Sequence, residues 1–257
     1  MDIDACAHCR AANLGKTRKA YVDGWGVHEE LFEQGSVMRY YPVNLDVRNR
    51  DCLVVGGGRV AERKVKTLIE CGAKVLLITR DATGRLKALA SDGLIDLRLR
   101  DYQPSDIDGK LLVFSATDNE ETNQRISQDA TKQGALCNVA DRPEACSFVL
   151  PAIVRQGFLL ITISTSNKSP ALAKRIRQRL EKEFGPEYDV LLKLMSAIRQ
   201  KLLGQAKSPE AHKEMFERLL DGGLLQMIRE GRTKDVDKLL KEVFGQGYTW
   251  KGLMIMA

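Results

Sequence analysis

Five residues, Asp51-Cys52-Leu53-Val54-Val55, form a short apolar run that stops on three consecutive glycines, Gly56, Gly57 and Gly58. An apolar run of this length, cut off by glycine, is a buried strand rather than a helix segment. After the glycines, Ala61, Val65, Leu68 and Ile69 recur at helical spacing over 60–70, and Gly72 closes the pattern. A strand tied to a helix by so short a turn leads to a neighbouring parallel strand through a right-handed crossover. That junction confines the chain to α/β architectures.

The same rhythm continues. Residues 73–79 (AKVLLIT) read as a second strand and 82–91 as a helix. Residues 95–100 alternate apolar and polar, as a strand nearer an edge does. Residues 110–116 (KLLVFSA) give a fourth strand, 119–133 a helix ended by Gly134, and 135–139 a fifth strand. Strand and helix alternating with tight turns predict a Rossmann-like, doubly wound parallel sheet. After Pro151 the rhythm changes to strand, turn and strand over 152–164, and Ser169-Pro170 opens a long helix with serine as N-cap and proline at the first helical position. From residue 183 the chain reads as helices, over 187–203, 209–220, 223–230 and 233–244. The expected organisation is an N-terminal extension (1–37, flexible), a dinucleotide-binding domain (38–150), a small α+β segment (151–183) and a helical C-terminal domain (184–257). Met38 would serve as a natural chain start.

The glycine turn carries the first functional expectation. Gly56, Gly58 and Ala61 satisfy G-x-G-x-x-A between a strand and a helix, within the run Gly56-Gly57-Gly58-Arg59-Val60-Ala61. The first glycine permits the tight turn, the second lets backbone approach a pyrophosphate, and the small third residue lets helix pack on strand. The helix start then presents unpaired N–H groups and the positive end of its dipole to phosphate. A lone glycine triplet is an ordinary turn; the strand before and helix after favour a cofactor cradle. An acidic residue about 20 positions on would hold the ribose hydroxyls, but Thr79 and Arg80 stand there, with Asp81 just beyond. Arg80 suits a 2′-phosphate or an ordinary solvated surface, so NAD is expected and NADP stays open. Thr117 and Asp118 follow the fourth strand at the carboxyl edge, where such sheets bind ligands. Asp118 or Asn119 there equally suits a helix cap.

Composition sets the outer limits. A formal charge of +6 over 257 residues favours anionic small molecules; no arginine-rich arm or aromatic-basic alternation points to nucleic acid. No apolar run reaches the roughly 20 residues of a membrane span, and the start MDIDACAHCRAANLGK lacks a secretory pattern. A cytoplasmic, reduced protein is expected, with no nucleic-acid or membrane partner. Cys6-Ala7-His8-Cys9 is a lone C-x-x-C, short of the roughly four ligands zinc needs, so no metal site is expected and an inert tail is the better reading.

The runs YPVNLDVRNRDCLVVGGGRVAERKVKTLIECGAKV, SATDNEETNQRI, LCNVADRPEACSFVLPAIV and ISTSNKSPALAKRIRQRLE together resemble the precorrin-2 dehydrogenase family, the N-terminal module of siroheme synthases, over about 41–183. This resemblance implies NAD-dependent oxidation of precorrin-2 to sirohydrochlorin. It further implies, in some members, insertion of ferrous iron as a second substrate by a ferrochelatase activity. It also implies a homodimer formed through the small central segment. The family's N-V-x-D motif reads Asn138-Val139-Ala140-Asp141 here. Its aspartate carries the chemistry, which makes Asp141 the expected catalytic residue and Asn138 an expected cofactor contact. Where the family often has serine before the S-P helix, this chain has Thr165.

Asp141 follows the fifth strand at the carboxyl edge. A positioned carboxylate there can accept the proton lost when a hydride leaves a reduced tetrapyrrole, most effectively if burial raises its pKa. Read without the resemblance, Asp141-Arg142-Pro143-Glu144 is simply good turn chemistry. The tetrapyrrole would bring eight carboxylates, for which Arg142, Thr165, Lys168 and Ser169 are the expected contacts, with Arg155, Lys174 and Arg175 nearby. The three histidines, His8, His28 and His212, leave 29–211 without one, which excludes a core histidine pair as chelatase machinery. A non-catalytic dinucleotide sensor is the alternative function, needing the glycine turn but neither Asp141 nor the anion-ready helix start. A short-chain dehydrogenase is unsupported, because no Y-x-x-x-K occurs.

Overall fold

The computed structural model describes residues 39–203 and 209–256. The extension at 1–37, with its cysteine pair, His8 and His28, lies outside the described residues. The chain divides into two units between Asp46 and Val47.

The second unit begins with a parallel sheet of five strands, β1 (Asp51–Val55), β2 (Lys74–Thr79), β3 (Asp96–Leu99), β4 (Leu112–Ser115) and β5 (Leu136–Val139). Their order is β3-β2-β1-β4-β5, the order of a Rossmann sheet short of its sixth strand. The connecting helices are α1 (Arg59–Glu70), α2 (Gly84–Ser91) and α3 (Glu120–Lys132). The register sets Val54 against both Leu77 and Phe114, so β1 lies at the centre, bonded on both sides. Burial follows from that position. Cys52, Leu53 and Val54 are fully buried, because β1 has helices over both faces. Cys52, Val54, Leu77 and Phe114 join Ala61, Val65 and Leu68 of α1 in one core layer, while Leu53, Val55, Ile78 and Val113 join Ile126 and Ala130 of α3 in the other. The alternating strand β3 does stand at an edge.

Strand and helix limits agree with the sequence pattern to within a residue or two. Helix α2 begins at Gly84, two residues later than read, because the Thr83 side chain accepts a hydrogen bond from the Leu86 N–H and caps it. A 3₁₀ turn over Pro104–Ile107 follows β3, closed by Asp106, whose carboxylate accepts from the Gln103 N–H.

After β5 come the antiparallel hairpin β6 (Ala152–Gln156) and β7 (Leu159–Ile163) and the helix α4 (Pro170–Glu183). Ser169 caps α4, its side chain accepting from the Leu172 N–H at 3.2 Å. The helices α5 (Glu187–Leu203), α6 (Pro209–Asp221), α7 (Leu224–Arg229), α8 (Thr233–Phe244) and α9 (Trp250–Met256) complete the chain. They enclose a separate core built on Leu194, Ile198, Leu219, Leu224, Val236 and Leu240. The short final helix had no counterpart in the pattern; Leu253 anchors it in that core. Among the described residues no helix is long and apolar enough to cross a membrane.

Candidate dinucleotide site

β1 lies between β2 and β4, so the chain leaves it in one direction and returns beyond it in the other. The loops there diverge and open a crevice at the carboxyl edge. Its volume is about 510 Å³, and its floor is Val55 and Ile78. Gly56, Gly57 and Gly58 form one wall, Thr79, Arg80 and Asp81 another, and Thr117, Asp118 and Asn119 face them.

The three glycines do different work. Gly56 has φ +116°, and a Cβ there would lie 2.2 Å from the Ala116 carbonyl oxygen. A Cβ on Gly57 would lie 1.8 Å from the Asp81 carbonyl oxygen. These two glycines let the turn sit against the ends of β4 and β2. Backbone bonds pin it there, Gly56 N–H to Ile78 O at 2.9 Å and Thr83 N–H to Gly57 O at 3.1 Å. At Gly58 a Cβ would meet nothing within 4 Å. Gly58 is also the N-cap of α1, and no side chain caps that helix start. Open space in front of uncapped helix N–H groups is what a pyrophosphate requires, so the residues present fit a dinucleotide. Ala61 is fully buried in the layer between α1 and the sheet, while Arg59 and Val60 lie outside the crevice lining.

The facing loop is held from beneath by buried Asn123. Its Oδ1 accepts from Ser115 Oγ at 2.6 Å and from Thr117 Oγ1 at 2.7 Å, and its Nδ2 donates to Thr117 O at 3.0 Å. Asn119 caps α3, accepting from the Thr122 N–H at 2.7 Å. Thr79 Oγ1 donates to Asp81 O at 2.6 Å. Lys87 and the Ala82 N–H both bind the Asp81 carboxylate and hold it below the usual carboxylate range.

Three lining residues, Arg100, Asp101 and Tyr102, come from beyond β3 and were not singled out from the sequence. Their signal was topological: every strand of a parallel sheet delivers its carboxyl end to the same edge. Arg100 forks onto Asp106 at 2.8 and 2.5 Å, and Arg80 onto Asp101 at 2.5 and 3.1 Å.

Asn138, Asp141 and Arg142 lie at the end of β5, beside the crevice but not among its lining residues. Asn138 Nδ2 donates to Phe148 O at 3.0 Å. Asp141 is exposed and has φ +60°, a left-handed corner that aspartate and asparagine tolerate better than most residues. Arg142 pairs with Glu120. Thr165 Oγ1 accepts from the Ser169 N–H at 3.2 Å and can donate to Ser169 O at 3.1 Å, so both hydroxyls serve the entry to α4. Lys168 is exposed. Arg155 pairs with Glu70 at the C-terminal end of α1, away from the glycine turn.

Lys64 was also missed. It stands three residues after Ala61 and four before Leu68, on the buried stripe of α1, and a lysine on such a stripe was the available signal. Its ammonium lies 5.6 Å from the Phe114 ring centroid and makes no ion pair among the described residues. Burial lowers its pKa, as does the like charge of Arg63, while the charge of Asp141 acts in the opposite sense.

Residues 43–152 match a family model described as putative NAD(P)-binding. The siroheme synthase of Methylococcus capsulatus is 34% identical over 205 residues, which are 80% of this chain and 43% of that protein. Siroheme synthase 1 of Aeromonas salmonicida is 31% identical over 220 residues, 85% of this chain and 47% of that one. The chain thus spans less than half the length of these curated relatives. Among solved structures, SirC, a precorrin-2 dehydrogenase, superposes with a TM-score of 0.68 at 22% identity, over 79% of this chain and 98% of its own. The sheet order, the glycine turn and these similarities agree: the chain carries a Rossmann-like, NAD(P)-binding type of fold, shares that fold with SirC, and is similar to the siroheme synthases over less than half of their length.

Proposed function

We propose that this chain oxidises precorrin-2 to sirohydrochlorin with NAD. The observation that carries the reading is the crevice at the β1/β4 divergence, with an uncapped helix start on one side and the Asp141 corner beside it. A bound nicotinamide dinucleotide supplies the hydride acceptor. The N–H groups around Gly58 hold its phosphates, and the Asn123-clamped loop at 117–119 closes the opposite wall. Asp141 accepts the proton that accompanies hydride loss, its exposed carboxylate being free to meet a macrocycle that covers the corner. Arg142, Lys168 and the Thr165–Ser169 entry to α4 supply cationic and N–H partners for the substrate carboxylates.

The chain works as a homodimer, joined through the segment 151–183, which stands between a dinucleotide-binding domain (38–150) and a helical domain (184–257). Supporting this, the outer hairpin face exposes Ile153 and Leu160, the turn exposes Phe158 at 74%, and Leu172 of α4 is half exposed. Two strands alone cannot bury such a face.

The test is absorbance of purified protein mixed with NAD and precorrin-2, which should develop the sirohydrochlorin spectrum. Ferrous ion added next reads out chelation, in which Asp141 would take the pyrrole protons. Folded protein that binds NAD and yields no sirohydrochlorin would replace this reading with that of a non-catalytic dinucleotide sensor.

A further inference from the structure

The ribose end of the crevice has an unusual charge arrangement. In sheets of this kind an acidic residue at the end of the second strand accepts from the ribose 2′-hydroxyl, or an arginine there receives a 2′-phosphate. Here the residue following β2 is Arg80, which by itself points to the phosphorylated cofactor. Its guanidinium fork, however, is already engaged by a carboxylate. Asp101, beyond the end of β3, receives Nε at 2.5 Å and Nη2 at 3.1 Å. Both residues line the crevice.

The other charges there are also assigned. Asp81 holds Lys87, and Arg100 is forked onto Asp106. Asp118, on the facing loop, is near enough to Arg80 to add to its stabilisation as a cation. One guanidinium therefore answers to two carboxylates, Asp101 and Asp118, and among the described residues no lining cation is left over for a phosphate dianion.

An exposed ion pair is worth only about 1 kcal/mol or less, so the strength of the Arg80–Asp101 pair is not what discriminates. Charge count does. A 2′-phosphate would take Arg80 only by being set against the carboxylate it displaced, and like charges brought together penalise the wrong partner. A 2′-hydroxyl, by contrast, is a donor that an Arg80-oriented carboxylate accepts. Arg80 also holds Asp101 below the usual carboxylate range, so it is ionised at neutral pH.

From this geometry we infer that Asp101, supplied from the end of β3 and oriented by Arg80, is the residue that makes the crevice select NAD over NADP. The inference rests on the crevice being the dinucleotide site.

The experiment is a titration of the purified chain with NADH and with NADPH, followed by nicotinamide fluorescence, on wild type, Asp101→Asn and Asp101→Asn/Arg80→Gln. Wild type should bind NADH at least about tenfold more tightly, a difference of about 1.4 kcal/mol. Asp101→Asn should free Arg80, raise NADPH affinity and bring the ratio to one or below; the double variant should lose that gain. Both side chains are exposed, so the variants keep their melting temperature. A wild-type preference for NADPH, or no preference, overturns the inference while leaving the crevice in place. So does an unchanged ratio in Asp101→Asn. Binding of neither nucleotide by the folded wild type removes the crevice reading and the inference with it.

Discussion

The Cys146 thiol donates to the Arg142 carbonyl across 3.1 Å, and its sulfur accepts from the Val139 N–H at 3.2 Å. One side chain thus bridges the end of β5 to the far side of the turn that carries Asp141. The left-handed φ at Asp141 is held by this closure. Cys146→Ala should loosen the corner without reaching the glycine turn. We expect turnover to fall about fivefold, the equivalent of about 1 kcal/mol for a lost hydrogen bond, with NADH affinity unchanged. Steady-state kinetics and a fluorescence titration, run side by side, separate the two.

At Asp141 itself the backbone decides which substitution is informative. Asparagine accepts a left-handed φ, whereas alanine there costs about 1 kcal/mol or more. Asp141→Asn should retain the wild-type melting temperature and NADH affinity and lose at least about a hundredfold in precorrin-2 oxidation, the low end of what a removed general base costs. Asp141→Ala should show the same kinetic loss with a lower melting temperature. An Asn variant that turns over at the wild-type rate would make Asp141 a turn residue only.

The glycines separate fold from binding. Gly57→Ala forces a Cβ to 1.8 Å from a backbone oxygen and should destabilise the chain by about 2 kcal/mol or more, as overpacking against immovable neighbours does. Gly58→Asp meets open space, so the protein should fold normally. NADH binding should disappear, because the new carboxylate occupies the position of the pyrophosphate. Thermal denaturation in the presence and absence of NADH reads both effects at once.

Asp106 is buried at the end of the 3₁₀ turn, which opposes its ionisation, but the hydrogen bonds from Arg100 and the Gln103 N–H and the nearby positive charges of Arg100 and Arg98 together leave its pKa below the ordinary value. A depressed folded-state pKa contributes stability above the unfolded carboxylate value and loses it as pH falls through the folded one. Asp106→Asn should cost about 2 kcal/mol at pH 7, less than a fully buried pair because Arg100 is partly exposed. The gap to wild type should stay constant down to about pH 5 and close below about pH 4. Urea denaturation across this range measures it.

The hairpin face offers a test of assembly. Phe158→Glu together with Leu160→Lys places charge on exposed apolar positions that contribute nothing to the monomer core. Sedimentation should report a monomer for the variant and a dimer for wild type, with the NADH affinity of the crevice retained.

The parallel sheet was legible because four of its strands are short, mainly apolar runs ended by turn signals and the fifth, β3, alternates as an edge strand does, so the pattern from Asp51 to Val139 repeats often enough to be unambiguous. The hairpin and the Ser169-capped helix were legible for the same local reasons, a Gly157 turn and a Ser-Pro start. The last helix was not, since Trp250–Met256 is too short to show a period and is held by Leu253 in a core made by other helices.

Local chemistry determined the glycine turn: a strand, three glycines and an amphipathic helix make a tight strand-to-helix junction, so Gly56, Gly57 and Gly58 on that wall of the crevice were readable from the sequence, while Arg59 and Val60 fall outside its lining. The contacts that fix the other walls of the crevice belong to the tertiary structure alone. Asp101 and Arg80 are 21 positions apart and meet because β2 and β3 are neighbours in register, and Asn123 reaches back under Thr117 because α3 packs on β4. Hydrogen bonds across elements depend on which strands lie side by side, and no periodicity within one segment encodes that.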